Sequence, residues 1–311
     1  MVKGEGEETM LELCNNFNKN LTELNKIRGI SYKNNNHVVT TEDRHYISLD
    51  KLPLPARHLL PNRSYKIHPP FGLYPPITLM ETSRGCNYNC TFCTLTEPLR
   101  ERSIGNVINE IKKVRDNYKI KEIYFVDPNF TYNQKRIMEL CNSMIKNNTR
   151  ISWTCKTRVD LVSPKLLEVM AKAGCYMISY GVESGSQKIL DNLNKGITIR
   201  DIENAFTLTK RFNIRSLAYI LIGSPGENSY TIKETLQLVR KIKPDFVLYG
   251  ELLPDPNSIL VKENMDKNDI IDMYITDKNK TKNIPNIFNG QKKYWLSLLN
   301  KSFYLRIDYI I

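Results

Sequence analysis

The sequence predicts an α/β protein built on a parallel sheet covered by helices, and two observations carry that prediction. From residue 77 to about residue 253, six short apolar runs of β type alternate with segments of helical periodicity, at 77–82, 122–126, 151–155, 177–182, 216–222 and 246–252. The helical segments between them carry their own start and stop signals, which makes the alternation a series of six β/α units. Such units specify an open doubly wound sheet or a full or partial barrel, and periodicity does not separate these. Both architectures gather their chemistry at the C-terminal ends of the strands, so the loops after each run are where polar residues carry functional meaning.

Residues 1 to about 70 differ in character from the rest of the chain, with a polar stretch at 32–36 and a Pro-rich passage from Leu52-Pro53-Leu54-Pro55 to Pro69-Pro70, and they read as attachment and linker. Between the first two strand candidates, Val107, Ile108, Ile111 and Val114 mark one apolar helix face. A later helix opens with Ser163 as N-cap and Pro164 in the first turn, continues through Leu166, Leu167 and Met170, and stops at Gly174. After Asp255 the pattern weakens: 266–289 is polar enough to be mostly loop, and an amphipathic piece at 294–305 is expected to pack back on the body. The expected division is therefore 1–70, a core at 71–255 and an extension at 256–311.

With 311 residues, 41% of them hydrophobic and 25% charged, the chain can bury one large core. No apolar run approaches the roughly 20 residues of a membrane span, and the N-terminus lacks the apolar core of a signal peptide, so the expected location is the cytoplasm. The net charge of +12 comes from scattered lysines. Without an aromatic-interleaved basic patch it reads as a solvated surface, and no nucleic-acid partner is expected. Seven cysteines without a secretion signal argue for thiolate chemistry in a reducing compartment rather than a disulfide framework. Cys14, Cys141, Cys155 and Cys175 stand alone and read as small core residues, whereas Cys86, Cys90 and Cys93 crowd into eight residues after the first strand candidate.

Three soft thiolates at a strand's C-terminal end call for a soft metal centre, and none of His37, His45, His58 and His68 lies in the loop to complete a tetrahedral zinc site. Three ligands leave one position open, which in a cubane cluster means one iron free to bind a substrate or cofactor. A structural zinc site completed by His68 or another distant residue is the alternative. The C-x₃-C-x₂-C spacing with Phe92 just before the third cysteine resembles the signature of the radical S-adenosylmethionine (SAM) superfamily. This resemblance implies a partial (β/α)6 TIM-like barrel, a [4Fe-4S] cluster on Cys86, Cys90 and Cys93, and SAM as cofactor, with Phe92 beside it. The open iron of such enzymes chelates SAM's methionine group, and reduction gives methionine and a 5′-deoxyadenosyl radical.

The same resemblance assigns further SAM contacts. At the end of the second strand candidate Asp127 is the candidate for SAM's amino nitrogen, or else an Asp-Pro turn. At the end of the fourth, Glu183 suits the ribose hydroxyls with Ser184 adjacent, while Ser184 or Ser186 can equally cap the next helix. Gly223 lies in a segment similar to the one that backs the adenine, which a plain turn also explains. Lys156 and Arg158, after the third strand candidate, are cations for the SAM carboxylate or solvated loop residues.

Residues 49–61 resemble the linker preceding the SAM domain in the cobalamin-dependent branch, which includes methyltransferases and the anaerobic cyclase that builds the fifth chlorophyll ring. Residues 4–7 with the helix-like 9–21 resemble the last piece of that branch's cobalamin domain, and 303–306 its C-terminal end. The doubly wound cobalamin domain and its D-x-H-x-x-G signature are missing; Asp43-Arg44-His45 imitates the first half by coincidence. Cobalamin is therefore expected only if another chain supplies it. The leading expectation is reductive SAM cleavage for methyl transfer or another C–H functionalisation of a small molecule or peptide, with a flavodoxin- or ferredoxin-type electron donor. Two alternatives are a truncated, catalytically silent remnant that keeps the fold and the cluster, and a zinc-stabilised protein that binds nucleic acid.

Overall fold

The computed structural model describes residues 1–17, 24–61, 72–95, 97–253, 255, 257–264 and 292–304. The predicted loop at 266–289, Pro69-Pro70, the end of the helix-like 9–21 and residues 305–306 lie outside the described residues. The chain forms two compact units, Met1–Pro53 and Leu54–Ile311, so the division falls at the start of the Pro-rich passage.

In the first unit, α1 (Glu7–Phe17) is followed by strands β1 (Ser31–Asn34) and β2 (His37–Thr40), paired antiparallel. The polar run at 32–36, expected as linker, is thus a hairpin. Its two-residue turn needs positive φ at both positions, and Asn35 (φ 42°) and Asn36 (φ 67°) supply it because asparagine tolerates the left-handed region. Arg44 ties the hairpin's exit to α1 through Thr9 Oγ1 (3.0 Å), Glu12 (2.6 Å) and Glu8 (3.2 Å), while Asp43 pairs with Lys3. Cys14 is exposed on α1, contrary to the expectation of a core thiol, since only Thr9 is buried among that helix's described side chains.

The second unit contains a six-stranded parallel sheet. In chain order its elements are β3 (Ile77–Met80), β4 (Ser83–Arg84), β5 (Arg100–Glu101), α2 (Ile104–Tyr118), β6 (Glu122–Phe125), α3 (Gln134–Lys146), β7 (Ser152–Thr157), α4 (Pro164–Lys172) and β8 (Cys175–Glu183). Then come α5 (Gln187–Asn192), α6 (Ile199–Arg211), β9 (Arg215–Ile222), α7 (Ser229–Ile242), β10 (Phe246–Glu251), α8 (Ile259–Asn264) and α9 (Lys292–Tyr304). The spatial order β3-β6-β7-β8-β9-β10 follows the chain, and every neighbouring pair is parallel. Strands β3 and β10 are the two edges. The sheet is therefore a run of six β/α units, with no pairing between β3 and β10 among the described residues.

One face of the sheet is apolar and covered by helices. Val107, Ile111 and Val114 of α2 are fully buried, as are Leu166, Leu167 and Met170 of α4. Phe125 stacks on Phe130 at 4.7 Å, and both pack on Trp153, whose Nε1 donates to the carbonyl of Ala173. Cys141, Cys155 and Cys175 belong to this core, and burial pushes the thiols of Cys141 and Cys155 far up. The opposite face carries hydroxyls, among them those of Tyr124 and Tyr219, and burial raises both phenols.

The helix boundaries follow local chemistry with one departure. Ser163 stands at the N-cap position of α4 before Pro164, but its hydroxyl donates to Gln134 Oε1 (3.0 Å) rather than capping the helix. The stop is at Gly174, whose φ of +99° and closeness to the Ile151 carbonyl exclude a side chain. Asn228 caps α7, its side chain accepting from the amides of Tyr230 (2.9 Å) and Thr231 (3.3 Å). Asn228→Ala is expected to cost about 1 kcal/mol, read as a fall of roughly 2–4 °C in the thermal unfolding midpoint. Among the described residues no helix is long and apolar enough to cross a membrane.

Candidate active site

After β3 the chain turns through Thr82 into β4, which pairs antiparallel with β5, so a two-residue clasp closes the base of the cysteine loop. Gly85 opens the loop at φ +82°, where a Cβ would stand 2.2 Å from the Pro98 carbonyl oxygen; only glycine fits. The Cys86 amide donates to the Glu97 carbonyl across the loop. Farther along, the Thr91 amide donates to the Leu193 carbonyl, Asn194 donates to the Asn89 carbonyl (2.8 Å), and the Leu260 amide donates to the Thr91 carbonyl. Segments distant in sequence therefore hold the loop at the C-terminal rim of the sheet.

Cys90 is buried, and Cys86 and Cys93 are half-buried. Burial pushes the Cys90 thiol up, and the nearby cations Lys195 and Arg158 pull it partly back. Among the described residues no three His, Cys, Asp or Glu side chains are grouped to hold one metal ion. A single tetrahedral zinc would require such a group, with Zn–S bonds of about 2.3 Å. A cubane gives each thiolate its own iron, and three cysteines at C-x₃-C-x₂-C spacing with no histidine in the loop are a donor set that fits it.

Beside the loop lies a cavity of about 480 Å³, a size suited to a small molecule. Phe92 of the loop lines it, with Asn129 after β6, Lys156 and Arg158 at the end of β7, and Gly181 and Glu183 at the end of β8. Tyr219 of β9, Glu251 and Leu252 at the end of β10, and Lys195 beyond α5 complete the part that bears on chemistry. Two of these lining residues reach the loop's sulfurs. Asn129 Nδ2 donates to Cys86 Sγ at 3.2 Å, and an Arg158 terminal nitrogen stands 4.0 Å from Cys90 Sγ.

Of the site residues expected from sequence, Phe92, Lys156, Arg158 and Glu183 meet at this cavity. Phe92 packs on the small apolar group of Ile189, Leu193 and Leu252. Arg158 is already neutralised: its guanidinium pairs with both carboxylate oxygens of Asp160 (2.9 and 3.0 Å) and lies 3.7 Å over the Tyr88 ring. Lys156 makes no ion pair among the described residues, which leaves it the uncompensated cation of the three. Glu183 is buried at a bulge of β8 with φ 64°, and Lys195, itself buried, donates to it at 2.6 Å. A Cβ on Gly181 would sit 2.5 Å from the Glu183 carboxylate and 2.9 Å from Lys195 Nζ, so glycine there makes room for the pair.

Three expected contacts lie off the cavity lining. Asp127 is fully buried, and its carboxylate accepts from the Thr82 amide and hydroxyl and the Ser83 hydroxyl, fastening β6 to the base of the cysteine loop. Burial pushes its carboxyl up while these donors hold it down. Ser184 is within hydrogen-bond distance of Thr235 Oγ1, and the neighbouring Gly185 approaches α7 so closely that a Cβ would stand 2.4 Å from Thr235 Cα. The Gly223 amide donates to the buried Glu227. Asn129 and Lys195 are members of the site that sequence patterns did not single out. The signal for Asn129 was an amide in a strand-end loop; Lys195 had only its place between Asn194 and Gly196, both with left-handed backbone.

A parallel sheet of six β/α units, with a three-cysteine loop at its C-terminal rim beside a small-molecule cavity, defines a class, and comparison with known proteins supplies the family. The model of the radical SAM superfamily matches residues 80–239, and the chain belongs to that superfamily. It is 34% identical over 266 residues to an uncharacterized methyltransferase of Pyrococcus horikoshii, covering 84% of this chain and 56% of that protein. It is also 28% identical over 281 residues to the anaerobic magnesium-protoporphyrin IX monomethyl ester cyclase of Rubrivivax gelatinosus, covering 88% of this chain and 50% of the cyclase. The chain spans about half the length of the curated relatives it matches. These relatives bear out the branch that residues 49–61 resembled. Among solved structures, the radical SAM methyltransferase TsrM of Kitasatospora setae, determined with cobalamin and a [4Fe-4S] cluster bound, superposes with a TM-score of 0.68. That match covers 83% of this chain and 52% of TsrM at 17% identity, a likeness of fold, and the fold is the partial (β/α)6 TIM-like barrel of the radical SAM type.

Proposed function

We propose that this chain cleaves SAM reductively, with Cys86, Cys90 and Cys93 holding a [4Fe-4S] cluster and the adjoining cavity receiving SAM. One observation carries the proposal: Asn129 and Arg158 line the cavity and also point at the sulfurs of Cys86 and Cys90, so thiols and cavity form one site. The cluster, when bound, supplies the electron that splits SAM's sulfonium into methionine and a 5′-deoxyadenosyl radical. The protein's part is to bind, orient and exclude water. Lys156 is the cation free to meet SAM's carboxylate, and Glu183, oriented by Lys195, accepts from the ribose hydroxyls. Phe92 supplies an apolar wall at the loop. Asp127 and Ser184 act by fixing the loop base and the end of β8, and Gly223 by letting the backbone after β9 come close.

The radical's use follows the relatives: methyltransferase and cyclase activities support methyl transfer or another C–H functionalisation, and the cobalamin in TsrM supports a cobalamin carrier provided outside the described residues. A flavodoxin- or ferredoxin-type protein is the electron donor in this proposal. The test is anaerobic reconstitution with iron and sulfide, EPR of the dithionite-reduced protein with and without SAM, and quantification of 5′-deoxyadenosine. The expected result is a reduced-cluster signal altered by SAM, together with 5′-deoxyadenosine. Stoichiometric zinc in a colourless protein would make the loop structural, and a cluster indifferent to SAM would make the chain a silent member of its family.

A further inference from the structure

We infer that Asn129 sets the reduction potential of the cluster by donating a hydrogen bond to the sulfur of Cys86. This rests on the proposed cluster. The Nδ2···Sγ distance of 3.2 Å is short for a donor to sulfur. The backbone that carries the amide is pinned on both sides: Asp127 is locked to Thr82 and Ser83, the Phe130 amide donates to the Lys156 carbonyl (3.1 Å), and the Tyr132 amide donates to the Asn129 carbonyl (3.1 Å). The turn that ends β6 thus fixes the backbone from which the side chain reaches Cys86, and a carboxamide is neutral and keeps its donors at every working pH.

The sign follows from charge. Reduction adds one electron to the cluster, and part of that density falls on the thiolate sulfurs. A donor to such a sulfur is stronger in the reduced state, so it raises the potential. Arg158 reaches Cys90 only at 4.0 Å, and its charge is offset by Asp160 at 2.9 and 3.0 Å, so Asn129 is the stronger donor. Because Asn129 acts through Cys86, it is a positioning residue.

EPR-monitored redox titration of the reconstituted protein tests this against Asn129→Ala, Asn129→Asp and Asn194→Ala. In Asn129→Ala the ratio of reduced to oxidised cluster at a fixed poise is expected to fall about tenfold, which is 59 mV for a one-electron couple. Asn129→Asp, equal in size, replaces the donor with an anion and is expected to fall further; it also gives the answer should the alanine variant assemble poorly. Asn194→Ala removes a donor to the loop's Asn89 carbonyl rather than to a sulfur, and its potential is expected to match the wild type. An unchanged potential in both Asn129 variants overturns the inference, as does an equal fall in Asn194→Ala, which would trace the effect to loop support. If the wild type itself holds no cluster by iron and sulfide content, the proposed function fails instead.

Discussion

Cys90→Ala is expected to assemble no [4Fe-4S] cluster and to lower 5′-deoxyadenosine formation by more than about a hundredfold, since loss of outer-shell partners alone costs roughly 10–100-fold. Cys90 is the most buried of the three thiols, and it is the one that both Lys195 and Arg158 influence. The loop around it is held by main-chain bonds that survive the substitution: the Cys93 amide to the Cys90 carbonyl, and the Thr91 amide to the Leu193 carbonyl. The apo-protein is therefore expected to unfold within a few degrees of wild type, while iron content and the EPR signal disappear. This separates the cluster from a zinc site. A structural zinc contributes folding free energy outright, so under that alternative Cys90→Ala would lower the unfolding midpoint steeply. Cys14→Ala, on the exposed face of α1, is expected to change neither quantity.

The sheet was legible because its inner strands are largely buried and rich in β-branched and aromatic residues, while the helices between them keep their apolar faces at helical spacing. Strand ends shifted where side chains intervene: β3 stops at Met80 because Thr82 turns away to meet Asp127. The hairpin β1–β2 escaped notice because its residues are mostly polar or exposed, and the clasp β4–β5 because two residues make no period. The cysteine triplet was plain as a local motif. The Glu183–Lys195 pair was half visible: the carboxylate lies at a strand end, whereas its partner arrives from beyond α5 by a fold that no local pattern encodes. Arg158 was legible as a cation but not as one neutralised by Asp160 two residues on. Whether the strands close into a full barrel is decided by pairing between β3 and β10, the most distant pair in sequence, which periodicity does not address.

Glu110→Ala is expected to destabilise the Leu54–Ile311 unit by about 3–5 kcal/mol, because it removes the buried carboxylate that two guanidinium groups share. Glu110 of α2 is 1% exposed and pairs at 2.6 Å with Arg57 and, through its other oxygen, at 2.6 Å with Arg102. Arg57 lies in the segment that sequence reads as linker, yet it is buried and donates to Thr78 Oγ1 and the Leu79 carbonyl of β3. Arg102 follows β5 and donates to the Glu81 carbonyl, while its amide donates to the Thr82 carbonyl. One carboxylate thus joins the segment before β3, the return from the cysteine loop and α2. At roughly 2–4 °C per kcal/mol for a domain of this size, thermal unfolding should fall by about 6–20 °C. Glu110→Gln keeps the shape and acceptor oxygen but not the charge, and is expected to lose less. Since Arg102 braces the loop's base, the alanine variant should also release its reconstituted cluster at a lower temperature than wild type. A midpoint within roughly 2–4 °C of wild type would mean that the arginines reach water when Glu110 is removed and that their other hydrogen bonds suffice.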